Sequence, residues 1–279
     1  MNYQELWHHL AQVYDDGEAK AIARMVYEKR FGLTLSDIYL GKDTQLSAND
    51  QAELAEIARR LLRQEPVQYV LGEADFCGRP FMVSPAVLIP RPETEELCRW
   101  IISGAGVGRS EPKAILDIGT GSGCIAVTLA ASLPDVQVAA WDISEEALQV
   151  AHENARRNHV SVSFERVDIL HRDKDNRRWD LIVSNPPYIC SRERKEMGEN
   201  VLSHEPHTAL FVPDDDPLLF YRAIAWYGQT ALREGGSLYF EINPLYATDL
   251  TKLLTAMPYH DIEIKADEYG KNRMLRARR

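Results

Sequence analysis

Asn185-Pro186-Pro187-Tyr188 follows the apolar run Leu181-Ile182-Val183-Ser184. Two successive prolines lock φ and restrict the residue before each, so this turn is stiff. A stiff turn at a strand end holds the Asn185 side-chain oxygen and the Pro186 carbonyl oxygen still. Each oxygen can accept one N–H from the same NH2 group. An amide nitrogen is a poor nucleophile, because its lone pair is delocalised into the carbonyl. Two such hydrogen bonds aim that lone pair at an electrophilic carbon and stabilise the positive charge that grows on nitrogen. No strong base is needed first, since the proton can leave after transfer, and positioning supplies most of the rate. The Tyr188 ring can stack on a planar acceptor. Asn185, Pro186 and Tyr188 are therefore the candidate catalytic residues, with Pro187 as a further acceptor contact. The bland alternative is a Pro-Pro turn without chemistry.

The electrophile would sit over a second motif. Leu116-Asp117-Ile118 leads into Gly119-Thr120-Gly121-Ser122-Gly123, with a helix after it. A strand that turns sharply into a helix needs glycine, which lets the backbone turn and lets a ligand approach closely. A dinucleotide fingerprint would want its third glycine where Cys124 stands. The G-x-G-x-G spacing better matches an adenosylmethionine-binding loop, although a tight turn without ligand would read the same. Asp142 ends the next strand, where a carboxylate can accept from both ribose hydroxyls; capping the helix before Ser144 is its other reading. Asp168 ends the third strand in the same way. It can accept from an adenine amino group, with the apolar body of Ile169 beside the ring.

These residues need a scaffold. From Lys113 onward strands and helices alternate: strands at 114–118, 136–141, 162–167, 181–184 and 237–242, and helices at 124–132, 145–158 and 218–232. Segments 261–265 and 273–278 are placed to pair around Tyr269-Gly270. This pattern predicts an α/β fold, a parallel sheet with helices on both faces and an antiparallel edge. Ligands in such sheets bind at the carboxyl ends of the strands. Residues 1–72 read as a small helical bundle. Leu6, Trp7, Leu10, Val13 and Tyr14 fall on one face, and Ala19, Ile22, Ala23, Val26 and Tyr27 repeat the spacing up to Gly32. Ser36 is placed to cap a short helix, and Ser47 a longer one with Leu54, Ile57, Ala58, Leu61 and Leu62 inward. Between the two, residues 73–92 read as a linker and probable hairpin; residues 93–279 form the second domain, with Pro92 in the first turn of its opening helix. Gly104–Ser110 and the polar stretch His171–Arg178 read as loops.

The chain has 279 residues, 45% of them hydrophobic, and a net charge of -10. That is enough apolar material for a real core. The acidic balance argues against a protein that grips bare nucleic acid through many phosphates, and no direct sequence-specific nucleic-acid binding is expected. The first 75 residues carry 8 basic against 13 acidic side chains, which suits a protein partner with a basic surface. No apolar run reaches membrane-spanning length and the start lacks a signal-peptide plan, so a cytoplasmic protein without membrane contact is expected. Cys77, Cys98, Cys124 and Cys190 lack metal-ligand spacing; they read as free thiols, and no metal site is expected.

Taken together, these motifs resemble the HemK/PrmC family, protein-(glutamine-N5) methyltransferases that modify peptide-chain release factors. The resemblance runs nearly the whole length. It includes Gln64-Glu65-Pro66-Val67-Gln68-Tyr69-Val70-Leu71-Gly72, Val87-Leu88-Ile89-Pro90-Arg91-Pro92-Glu93-Thr94-Glu95, the glycine loop, and Ser184 through Ile189. It implies a Rossmann-like class I S-adenosylmethionine-dependent methyltransferase domain. S-adenosyl-L-methionine would be the cofactor and S-adenosyl-L-homocysteine its product. The acceptor would be the glutamine of a Gly-Gly-Gln motif in a release factor, with the N-terminal helical domain helping to dock that partner. Gly119 to Gly123, Asp142, Ile169 and Asn185 look like the cofactor contacts, and Asn185 to Tyr188 the glutamine contacts. Arg91 and Glu93 would lie at the pocket mouth, or else form an ion pair bracing the domain junction. A monomer is expected. Two departures from the family pattern, Phe211–Pro217 and Asn243-Pro244, are not expected to touch the catalytic set. Glutamine methylation of a ribosomal protein would need the same pocket, and N6-adenine methylation of nucleic acid shares the Asn-Pro-Pro-Tyr turn but would want a basic recognition region.

Overall fold

A computed structural model of the chain describes residues 1–105, 113–133, 135–172 and 179–279. The chain divides into two compact units. The first comprises Met1–Glu73 with Gly198–His204, and the second Ala74–Met197 with Glu205–Arg279.

The first unit is helical: α1 Tyr3–Leu10, α2 Asp16–Phe31, α3 Leu35–Tyr39, α4 Ala48–Leu61 and α5 Val67–Leu71. Leu6, Leu10, Ala19, Ile22, Ala23, Val26, Tyr27, Leu54, Ile57, Ala58 and Leu61 are all buried in one cluster. These are the positions that the helical spacing selects, and each large apolar side chain buried there stabilises by about 1.5–3 kcal/mol. Val13 departs from its expected place. Helix α1 ends at Leu10, and Val13 lies beyond it and is exposed. The cap of α3 is Thr34 rather than Ser36, because Thr34 and Asp37 bond reciprocally to each other's backbone N–H. Asp37 stands three places after Thr34, the spacing of a capping box; Ser36 has Tyr39 there. Ser47 does cap α4, with Asp50 as its reciprocal partner. Gly32 ends α2 at φ +66°, a left-handed conformation that favours glycine.

A two-stranded hairpin, β1 Glu73–Phe76 and β2 Arg79–Met82, stands where the sequence predicts a linker with a hairpin, and all of it after Glu73 belongs to the second unit. Helix α6 Pro92–Ala105 follows and begins at the proline; it carries Gly104, read as loop, into its last turn. Most of the loop at Gly104–Ser110 and of the stretch His171–Arg178 lies outside the described residues. Then come β3 Ala114–Ile118, α7 Cys124–Ser132, β4 Gln137–Asp142, α8 Glu145–Arg157, β5 Ser163–Arg166 and β6 Trp179–Ser184. After β7 Ile189–Cys190 come α9 Glu199–His204, which belongs to the first unit, and then α10 His207–Leu210, β8 Phe211–Val212, α11 Leu219–Ala231, β9 Leu232–Glu241, α12 Ala247–Ala256, β10 His260–Ala266 and β11 Asn272–Arg278 of the second.

Seven strands form one sheet in the order β10-β11-β9-β6-β3-β4-β5. The five from β9 to β5 run parallel, and β11 is antiparallel to both β9 and β10. Successive residues of a strand point to opposite faces. Here both faces are covered. Leu116, Trp141, Ile182 and Phe240 pack in one cluster with Tyr221, Ile224 and Leu250 of α11 and α12. Their chain neighbours Ile115, Ala140, Val183 and Tyr239 pack in another, with Leu97, Ile101, Ile125 and Leu129 of α6 and α7. A parallel sheet covered on both faces reads as continuous apolar runs, as these strands do.

Candidate active site

Strand register assembles the site. Ile118 of β3 pairs with Ser184 of β6 and with Trp141 of β4. Ser184 pairs in turn with Phe240 of β9. The next residue of each strand therefore falls on one edge of the sheet: Glu241, Asn185, Gly119 and Asp142, in that order across it. The chain runs from β3 outward to β4 and β5, then returns to the other side of β3 as β6. That reversal is the switch point where doubly wound sheets bind ligands.

The glycine loop is held from both sides. Gly119 N–H and Thr120 N–H donate to the Trp141 carbonyl at 2.8 and 2.9 Å. Gly121 N–H donates to Asp142 Oδ2 at 2.8 Å. Gly119, Gly121 and Gly123 have φ of +72°, +54° and +81°. A Cβ on Gly123 would stand 3.0 Å from Ala151 Cβ, so glycine there lets α7 start against α8. A Cβ on Gly119 or Gly121 would meet no atom within 4 Å. The space above that backbone is open, as a cradle for a ligand requires.

Asp142 is bonded to backbone on both sides, and Ser144 rather than Asp142 is the N-cap of α8. Its Oδ1 accepts Ser144 N–H at 3.0 Å, which joins it to the start of α8, while Oδ2 holds the loop. A carboxylate has about four lone-pair sites, so acceptor capacity remains for a ribose. Burial raises its pKa, against the pull of those backbone N–H groups. Asp168 accepts Leu170 N–H at 2.9 Å and meets His171 Nδ1 at 2.6 Å. Ile169 packs on the large cluster beneath. An open glycine cradle flanked by an acceptor carboxylate fits a nucleoside-bearing cofactor.

At the acceptor turn Asn185 is half-buried and Pro186 buried. Asn185 Nδ2 donates to Thr94 Oγ1 at 3.2 Å. The Tyr188 hydroxyl donates to Glu241 Oε1 at 3.0 Å, so this ring is anchored from behind. Thr94 Oγ1 donates to Glu241 Oε2 at 2.6 Å. Burial pushes the Glu241 carboxyl up, opposed by the hydroxyls of Thr94 and Tyr188. Burial raises Tyr188 as well, and the charge of Glu241 adds to it.

Arg91 and Glu93 do not pair with each other. Arg91 Nη2 donates to Glu205 Oε1 at 2.5 Å, and Glu205 Oε2 accepts Ile89 N–H at 3.3 Å. The Glu205 side chain is 1% exposed, and it supplies the acceptors that the Ile89–Arg91 bend requires. The Glu93 side chain makes no hydrogen bond among the described residues.

Both family departures lie near the turn: the Phe211 segment beside it, as a reshaped loop near the acceptor would, and Asn243 in direct contact with Tyr188, which was not expected. Asn243 Nδ2 donates to the Tyr188 carbonyl at 3.2 Å and to Glu193 Oε2 at 2.9 Å. Phe211 and Val212 form β8, which pairs with Ile189 and Cys190 immediately after Tyr188. Thr94 and Glu241 thus join the candidate site without having been singled out by any motif, and Asn243 joins it after being noted only as a departure. Their signal is faint: Glu241 is the one acid of the predicted strand 237–242, and Thr94 sits inside the Leu88–Glu95 string.

Among the described residues no helix is long and apolar enough to cross a membrane. Residues 107–208 match the methyltransferase small domain family, and residues 4–72 the PrmC N-terminal domain family. The chain is 48% identical over 271 residues to a release factor glutamine methyltransferase of Bacteroides thetaiotaomicron, covering 97% of this chain and 96% of that one. It is 42% identical to the Flavobacterium psychrophilum protein of the same name, covering 96% and 94%. Its fold is similar to that of a ribosomal protein L11 methylase from Lactobacillus delbrueckii subsp. bulgaricus, with TM-score 0.50 and 23% identity over 70% of this chain and 82% of that one. The α/β architecture predicted from the alternation of elements is therefore a Rossmann-like class I methyltransferase domain, and the chain carries a helical domain as well.

Proposed function

Because the chain belongs to the release factor glutamine methyltransferase family, we propose that it methylates N5 of the glutamine in the Gly-Gly-Gln motif of peptide-chain release factors. The observation that carries this reading is the shared edge of β3 and β6, where the open glycine loop and Asn185 emerge side by side. S-adenosyl-L-methionine, when bound, supplies an electrophilic sulfonium methyl and leaves as S-adenosyl-L-homocysteine. Gly119, Thr120, Gly121, Ser122 and Gly123 would lie under it. Asp142 would accept from its ribose, with Asp168 and Ile169 beside the adenine.

Asn185 Oδ1 and the Pro186 carbonyl each accept one N–H of the glutamine amide. They orient the nitrogen and stabilise the charge that grows on it. The Pro187 and Tyr188 rings border the planar amide, the latter anchored through its hydroxyl. The proton leaves after transfer. The acidic helical unit suits docking of a partner with a basic surface, and a cytoplasmic location accords with such a substrate. Arg91 shapes the segment leading to α6 through Glu205.

The test is to incubate the protein with labelled S-adenosyl-L-methionine and purified release factors, then map the added mass by peptide fragmentation. One methyl on the glutamine of Gly-Gly-Gln is the expected product. Label on another residue, or on a ribosomal protein or adenine alone, would overturn the reading.

A further inference from the structure

An asparagine amide has two ends that differ only in what they can do: Oδ1 accepts and Nδ2 donates. The chemistry proposed for Asn185 works one way round only. With Oδ1 towards the acceptor, it takes an N–H of the substrate amide. With the amide flipped, two NH2 groups would face each other, and a partial positive charge would meet the charge growing on nitrogen. Nothing within the Asn-Pro-Pro-Tyr turn decides between these orientations.

The decision lies on two other elements. Asn185 and Glu241 follow paired residues of β6 and β9, and α6 brings Thr94 to both. Thr94 and Glu241 are each 2% exposed, so bulk solvent does not compete for either. Thr94 has one hydroxyl proton, and it goes to Glu241 Oε2 at 2.6 Å. Its oxygen can then only accept. The group 3.2 Å away on Asn185 must therefore be the NH2. Among the described residues no donor is hydrogen-bonded to Asn185 Oδ1, which is left for an incoming N–H. The second oxygen of Glu241 takes the Tyr188 hydroxyl, so one carboxyl orders both functional side chains of the turn.

We infer that Thr94 and Glu241 are positioning residues, a hydrogen-bond relay that fixes which way round the Asn185 amide sits. The consequence for turnover rests on the proposed role of Asn185; the orientation itself does not.

Two measurements test this. The first follows the Asn185 side-chain NH2 signals by nitrogen-edited NMR, assigned by their loss in Asn185→Ala. In the unmodified protein and in Thr94→Ser, which keeps the hydroxyl, one of these protons is expected to be protected from exchange with water. In Thr94→Val, which keeps the shape, protection should fall at least about tenfold, the size of one lost hydrogen bond. Thr94→Ala makes the same deletion without the second methyl, should Thr94→Val not fold. The second measurement is turnover on a release factor. Thr94→Val should lower kcat about tenfold with the KM for S-adenosyl-L-methionine unchanged. The same change should cost little more in an Asn185→Ala background, because the relay has nothing left to orient. Unchanged NH2 signals in Thr94→Val would overturn the relay, as would a full additional loss on top of Asn185→Ala. A protein inactive on release factors whose NH2 signals still respond to Thr94→Val would overturn the functional reading and support the relay.

Discussion

Asn185→Ala is expected to lower turnover by about 10²–10³-fold, the range seen when one charge-stabilising contact is removed from a preorganised site. The Pro186 carbonyl would remain, but one acceptor cannot fix the rotation of an NH2 group about its own hydrogen bond. The nitrogen would then reach the methyl in the correct orientation only a small fraction of the time. Half of the stabilisation of the developing positive charge would go as well. The fold should survive, because Asn185 is half-buried and its side chain gives up one hydrogen bond, to Thr94 at 3.2 Å. Single-turnover rates at saturating cofactor isolate the step in question. A variant that keeps its rate within about threefold, well short of the effect of such a contact, would remove Asn185 from the catalytic set.

Asp117→Asn should change the pH dependence of stability more than any other single substitution at the cofactor edge. Asp117 is 0% exposed at the end of β3. Its Oδ2 accepts from Thr120 Oγ1 at 2.6 Å and from Ala126 N–H at 3.2 Å, tying the glycine loop to the start of α7. Oδ1 has no partner among the described residues. Burial, with a smaller push from Asp142, raises the carboxyl from 3.8 to about 7. The folded protein thus keeps a proton that the unfolded chain releases above its own lower pKa. This contribution to stability is fully present below about pH 4 and is lost as pH rises through about 7. The slope is at most about 1.4 kcal/mol per pH unit. Asparagine keeps an acceptor for both donors and has no proton to lose. Chemical denaturation of both proteins across this range should show the unmodified protein losing stability relative to Asp117→Asn as pH rises. Parallel curves would mean that Asp117 titrates normally in the folded state.

The backbone form of the glycine loop and the placing of the Asn-Pro-Pro-Tyr turn at a strand end are legible in sequence because each motif is local: residues a few places apart set the backbone. Helix α7 and the Leu54–Leu61 stripe are equally local. What escapes is whatever depends on strand register or long-range return. Thr94 and Glu241 lie 147 residues apart and meet only because α6 packs at the carboxyl edge of β6 and β9. Glu205 reaches Arg91 across 114 residues, so the nearer Glu93 was the natural partner to expect. Asn243 reads as a family irregularity until its amide is seen holding the Tyr188 carbonyl. Ser36 and Thr34 differ by two positions, and only the reciprocal bond with Asp37 separates them.

In the proposed reaction two oxygens at the end of β6 grip an NH2 group and turn its nitrogen towards a methyl held over the end of β3. A crystal structure of the protein with S-adenosyl-L-methionine bound tests it most directly. The adenosine is expected above Gly119–Gly123 with its ribose on Asp142, and the sulfonium methyl directed at the space in front of Asn185 Oδ1 and the Pro186 carbonyl. A methyl directed away from that turn, or a cofactor seated elsewhere than on the glycine loop, would contradict it.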